Sequence, residues 1–131
     1  AGKILLCNDA DGKFTLPSIV STTPSDPTDP NQTNNIGATF HFYIETAATD
    51  LDIKTDGTDK FKGAILIAVD DGAKKAFVPA ATNDVITMNG STKGGIVGSI
   101  VSFTAIDTAT YLVNSSLLIG SGTIVTPYAD A

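Results

Sequence analysis

The 131-residue chain is one domain's worth of protein, long enough to bury about two-thirds of the surface its unfolded form exposes, and its single cysteine, Cys7, excludes an intrachain disulfide scaffold. Hydrophobic residues at 42% exclude a disordered chain, and charged residues at only 17% exclude a helical coiled coil. A net charge of −6, with eight Lys and no Arg, removes both the field and the bidentate fork that phosphate recognition uses, so no nucleic-acid partner is expected.

The residue types point to strands. Thr, Ile and Val supply 39 of the 131 residues, and their stiff χ1 suits a pleated surface. The acids are 13 Asp against one Glu, which favours turns and caps over helices. An all-β fold follows: a β-sandwich or partly open β-barrel built of hairpins, with little or no helix, in one domain spanning residues 1–131. No run reaches the 18 or so apolar residues a membrane helix needs, so no membrane is expected as a partner. Ala1 fits what remains when an initiator Met is clipped from a cytoplasmic product, although a removed signal peptide would leave no trace.

In chain order, Ala1 to Cys7 reads as a strand, Asn8 to Gly12 as a turn and Lys13 to Leu16 as the second arm of a hairpin that Pro17 ends. Ser18 to Thr22 stays β-like. The stretch from Pro24 to Asn35 then carries three prolines and no apolar residue, the centre of an exposed loop at 23–37 and a candidate for contacts made after folding. Ala38 to Thr46 alternates, with Phe40, Phe42 and Ile44 on a core face and His41, Tyr43 and Glu45 opposite. Asp50 to Thr55 repeats the alternation, and Asp56 to Asp59 turns into Lys60 to Val69. Within it Ala64 to Val69 is apolar without alternation, as for a strand buried on both faces or packed against another subunit. Asp70-Asp71-Gly72 turns toward Lys75 to Val78, and Val85 to Asn89 is followed by a Gly90 turn. Ile96 to Ile106 reads as a long strand with Gly98 at a bulge or close backbone approach. Thr110 to Val113, Leu117 to Ile119 and Thr123 to Val125 read as short strands after it.

Few side chains suggest chemistry. Asp9 to Gly12 lacks carboxylates at the ends of a calcium loop, because Cys7 and Ser18 occupy those positions. Adjacent Asp70 and Asp71 would point to opposite strand faces and suit a turn. His41 is the one imidazole, so any serine or cysteine nucleophile must pair with it, but no nucleophile elbow surrounds any of the nine serines. One Cys and one His are too few for a zinc site without clustered carboxylates. No cofactor, metal or catalytic residue is expected, and the chain is read as a non-enzyme. The sequons at Asn31, Asn89 and Asn114 are expected by chance in so Thr- and Asn-rich a chain.

Two stretches resemble a family. Gly12-Lys13-Phe14-Thr15-Leu16-Pro17, Gly37-Ala38-Thr39-Phe40-His41-Phe42, Ile53-Lys54-Thr55 and Lys62-Gly63 form the first. The second runs from Gly94-Gly95 through Gly98, Val101, Tyr111-Leu112-Val113 and Gly120-Ser121-Gly122-Thr123 to Thr126-Pro127-Tyr128. Both are similar to small β-rich virion proteins of tailed bacteriophages, especially marine ones. Tyr111 stands where Trp is usual, Tyr128 where Phe is usual, and Asn114-Ser115 where a turn glycine is usual.

The resemblance implies a structural protein of the capsid decoration (cement) or tail-fibre kind, commonly trimeric. Of these, capsid decoration suits a short, acidic, stalkless chain made in the host cytoplasm and carried on the outer capsid surface. Its partners would be the major capsid protein and neighbouring copies of itself. The candidate contacts are Lys3, Ile4, Leu5 and Leu6 of the first strand, Pro24, Asp26, Pro27, Asp29, Pro30 and Asn31 of the loop, and the outward His41 and Tyr43. The rival class is a secreted or cell-surface adhesin or carbohydrate-binding β-module.

Overall fold

Eleven strands and no helix form among residues 3–20 and 34–131, which are the residues the computed structural model describes. They are β1 (Ile4–Cys7), β2 (Lys13–Thr15), β3 (Thr39–Ile44), β4 (Leu51–Lys54), β5 (Lys60–Gly63), β6 (Ile65–Ala68), β7 (Lys74–Phe77), β8 (Val85–Met88), β9 (Ile100–Asp107), β10 (Thr110–Ile119) and β11 (Tyr128–Ala129). Two mixed sheets pack into a sandwich. The larger runs β1-β3-β9-β10-β6-β7, with β5 also on β10, and the smaller runs β11-β8-β4-β2.

Hairpins between consecutive strands occur at β6–β7 and β9–β10. The expected hairpin of the first two strands does not form: β1 pairs parallel with β3 in one sheet, and β2 pairs parallel with β4 in the other. The Asn8–Gly12 turn is therefore a crossing between layers. It is tied at Asp9, whose carboxylate accepts the Asp11 N–H, and it delivers Cys7 and Phe14 to the core from opposite sides.

Strand β10 organises the larger sheet. One side pairs with β9, and the other pairs with β5 along its first half and β6 along its second, all but the β9 pairing parallel. The two strands expected at Thr110–Val113 and Leu117–Ile119 are thus one strand, bent by a register shift between Asn114 and Leu117 where Ser115 adopts φ 45°. The expected strand Lys60–Val69 follows the same bend and divides at Gly63. There φ is +105°, and an added Cβ would run into the Val113 carbonyl oxygen. Its β6 part is buried on one face only: Ile65 and Ile67 point inward, while Leu66 and Ala68 are half-buried on the outside.

Three further boundaries differ from expectation. Strand β9 begins at Ile100, because Val97 and Gly98 form a turn whose Gly98 N–H donates to the Ile44 carbonyl at 3.1 Å. Thr123–Val125 is not a strand, and the short β11 follows it instead. Ser18–Val20 pairs with no described strand, although the Asn35 N–H donates to the Val20 carbonyl and the Val20 N–H donates to the Asn35 side-chain oxygen. The loop reading at 23–37 lies outside the described residues except for Asn34–Gly37, where Ile36 and Gly37 form a turn.

An aromatic file binds the layers. Phe14 from the smaller sheet meets Phe42 edge-on at 5.8 Å, Phe42 meets Phe103 at 5.8 Å, and Phe103 meets Phe61 at 5.2 Å. Such pairs add about 0.5–1.5 kcal/mol each beyond the area they bury. Tyr111 is fully buried beside Phe40, and its hydroxyl donates to the Pro17 carbonyl at 2.6 Å. Nearby the buried Asp59 carboxylate accepts the Ile19 N–H, and the Asn35 side chain accepts from Val20 and donates to Ser18. The two ends of the undescribed segment 21–33 are thus held side by side.

Candidate functional site

The two outer faces of the sandwich differ in kind. On the smaller sheet, Lys13, Asp52, Lys54 and Thr87 face outward, with Lys13 paired to Asp50 at 2.9 Å and to Asp52 at 3.0 Å. This is an ordinary solvated face. On the larger sheet, pairing registers set three outward rows. Thr39 and Thr104 begin a polar row, joined through their hydroxyls at 3.0 Å. Ile4, His41, Ser102 and Asn114 form the next. Leu6, Tyr43, Ile100, Leu117, Leu66 and Ala76 form the third, a continuous apolar stripe across six strands.

Period-2 alternation produces this stripe, because the residues between its members (Phe42, Val101, Leu118, Ile67) are those buried in the core. Leu6 is 57% exposed, and Ile100 and Leu117 are each 41% exposed. A row of large apolar side chains left in water is the kind of surface that marks a contact site.

The sheet's two outer edges also differ. At β7, Lys74 and Lys75 are exposed, the usual guard against strand addition. At β1, Ile4, Leu5 and Leu6 are all exposed and no described strand lies beyond them. A shallow depression of about 360 Å³ between β1, β3 and β9 is lined by Lys3, Ile4, His41, Tyr43, Ile100 and Ser102.

Of the candidates read from sequence, Lys3 to Leu6, His41 and Tyr43 are thus brought together on one edge and face. Pro24, Asp26, Pro27, Asp29, Pro30 and Asn31 lie outside the described residues. Ile100, Leu117 and Leu66 join them from outside the candidate set. Their signal was an apolar residue on both faces of a strand, present for Leu66 in the unalternating run Ala64–Val69 and hidden for Ile100 by placing Gly98 inside the strand.

His41 and Ser102 sit opposite each other, Nδ1 to Oγ at 2.8 Å. A serine nucleophile needs its base oriented by a third group and backbone donors free for an oxyanion. Here Nε2 has no protein partner among the described residues, and the Ser102 N–H is already given to the Ser116 hydroxyl at 3.0 Å. The pair acts as a cross-strand contact. Cys7 points to the core, across the sheet from His41, and burial pushes its thiol up to about 11, far from a reactive thiolate. Asp70 and Asp71 occupy the β6–β7 turn, where Asp71 accepts the Ala73 N–H. Asn89 braces its own turn, accepting from Ser91 and Lys93 and donating to Thr92. Among the described residues no three metal-ligating side chains converge.

No family model matches the chain, and neither a curated protein nor a solved structure matches it.

Proposed function

We propose that the chain is a non-enzymatic virion structural protein of the capsid-decoration kind, which binds the outer surface of a capsid shell through the outer face of its larger sheet. The observation that carries this reading is the contrast between that face, crossed by the Leu6–Tyr43–Ile100–Leu117–Leu66 stripe, and the charged face of the smaller sheet. Full burial of a Leu or Ile side chain is worth about 1.5–3 kcal/mol, so half-exposed members of the stripe would each contribute roughly 1 kcal/mol on docking. Many such contacts, repeated over a shell, oppose its expansion without any chemistry. The solvated face then looks outward, and a net charge of −6 keeps decorated particles apart.

The resemblance to small phage virion proteins supports the same reading, with the major capsid protein as partner and the outer capsid surface as location. The test is co-sedimentation of the purified chain with shells that lack it. Saturable binding is expected, weakened at least tenfold by Leu117→Asp in a chain that still unfolds cooperatively. No binding at any ratio, or binding indifferent to Leu117, contradicts the proposal; binding to tails or to glycans instead would move the chain to the tail or adhesin class.

A further inference from the structure

We infer that the β1 edge is a self-pairing strand: β1 of one copy lies antiparallel against β1 of a second copy across a two-fold axis at Leu5. This goes beyond the capsid reading and does not depend on it.

The direction of the backbone groups carries the inference. The Cys7 carbonyl accepts the Glu45 N–H at 3.0 Å, inside the sheet. In a parallel pair each residue turns both its N–H and its C=O to the same neighbour, and successive residues alternate. Cys7 and Leu5 therefore spend their backbone groups on β3, while Ile4 and Leu6 aim theirs at the open edge. Two donors and two acceptors, placed symmetrically about Leu5, are left without a strand partner among the described residues.

A second copy turned by 180° offers the same four groups in the complementary order. Ile4 then faces Leu6 of the partner copy as a bonded pair, Leu6 faces Ile4, and Leu5 faces Leu5 between them. Four backbone hydrogen bonds form, and all three side-chain pairs are apolar. The same register puts Lys3 opposite Cys7 and about 13 Å from the other copy's Lys3 at roughly 3.3 Å per residue, more than a Debye length at physiological salt. The opposite edge has no such complement. Lys74 and Lys75 lie side by side on β7, so pairing two β7 strands gathers four ammonium groups at one seam, and pairing β7 to β1 brings unpaired ammonium groups onto an apolar strand. Isologous pairing closes after two copies and leaves the outer stripe of each copy on one continuous surface.

The experiment uses the full chain and three variants. Light scattering over a dilution series is expected to give a dimer. Leu6→Pro removes an outward N–H while sparing the β1–β3 ladder, and is expected to raise the dimer dissociation constant at least tenfold with thermal unfolding retained. Under mild oxidant, Leu5→Cys is expected to crosslink to a dimer at least tenfold faster than Ile4→Cys, because only residue 5 meets itself; the wild type, with Cys7 buried, is the control. A monomer at every concentration, a trimer, a dimer insensitive to Leu6→Pro, or equal crosslinking at positions 4 and 5 would overturn the inference.

Discussion

Tyr128 carries a hydroxyl that the core does not use. Its side chain is buried, the oxygen has no hydrogen-bond partner among the described residues, and burial pushes the phenol's ionisation well above its usual range. A buried, unbonded hydroxyl costs about 1–3 kcal/mol. Tyr128→Phe is therefore expected to leave stability unchanged or raise it by about 1 kcal/mol, read from the urea midpoint; a loss of that size would show a partner for the oxygen. Tyr111 is the opposite case, since its hydroxyl holds Pro17 and Tyr111→Phe gives up that bond. Ser115 and Gly63 form a second contrast. Ser115 at φ 45° bears the left-handed strain that glycine avoids, so Ser115→Gly should raise the melting temperature by an amount equivalent to about 1 kcal/mol. Gly63→Ala should lower it by more, because its Cβ meets the Val113 backbone.

At the scale of elements, the base of the segment 21–33 offers a prediction. Asn35 bonds Val20 through backbone and side chain and reaches Ser18, while Asp59 holds Ile19. Asn35→Ala removes two of these bonds and should speed proteolytic nicking of the segment several-fold, with a change of about 1–2 kcal/mol or less in global stability. Unchanged nicking would mean the clamp carries no weight. Most strands were legible because alternation survives in them: β3, β4, β7 and β8 appear within a residue or two of their expected bounds. Partner choice was not legible, since Asn8–Gly12 carries the same turn residues whether it closes a hairpin or crosses between layers. Nor was the union of the two β10 pieces, because Asn114-Ser115 looks like a turn locally and becomes a bulge only when β5, β6 and β9 hold both halves in line. Half of the candidate site was visible as exposed strand residues at Lys3–Leu6, His41 and Tyr43. The other half depends on register, which the pairing with β9 and β10 supplies.

For the molecule as a whole, acid stability follows from the carboxylates. Hydrogen bonds from Ser18, Asp59 and Thr58 hold Asp56 below the usual range. Burial works against ionising Asp84, but Lys60 at 2.7 Å and the Ala131 N–H outweigh it and lower that group too. A depressed folded-state pKa gives stability that is present above the unfolded value, about 3.9, and lost as pH falls below it. Asp59 has the reverse sign: burial raises it, so its contribution favours folding as pH falls through the same region. The urea midpoint should therefore fall below pH 4, with Asp84→Asn flattening that acid limb and Asp59→Asn steepening it; an acid limb unchanged by Asp84→Asn would contradict this assignment.

The proposed contact surface is the outer face of the larger sheet, and amine-labelling footprinting of the chain mixed with shells distinguishes it from the opposite face. Lys62 lies outward on the larger sheet, opposite Leu112, while Lys13 and Lys54 lie on the outer face of the smaller one. Binding is predicted to slow labelling of Lys62 at least several-fold and to leave Lys13 and Lys54 as reactive as in the free protein. Protection of Lys13 and Lys54 with Lys62 unchanged would contradict it.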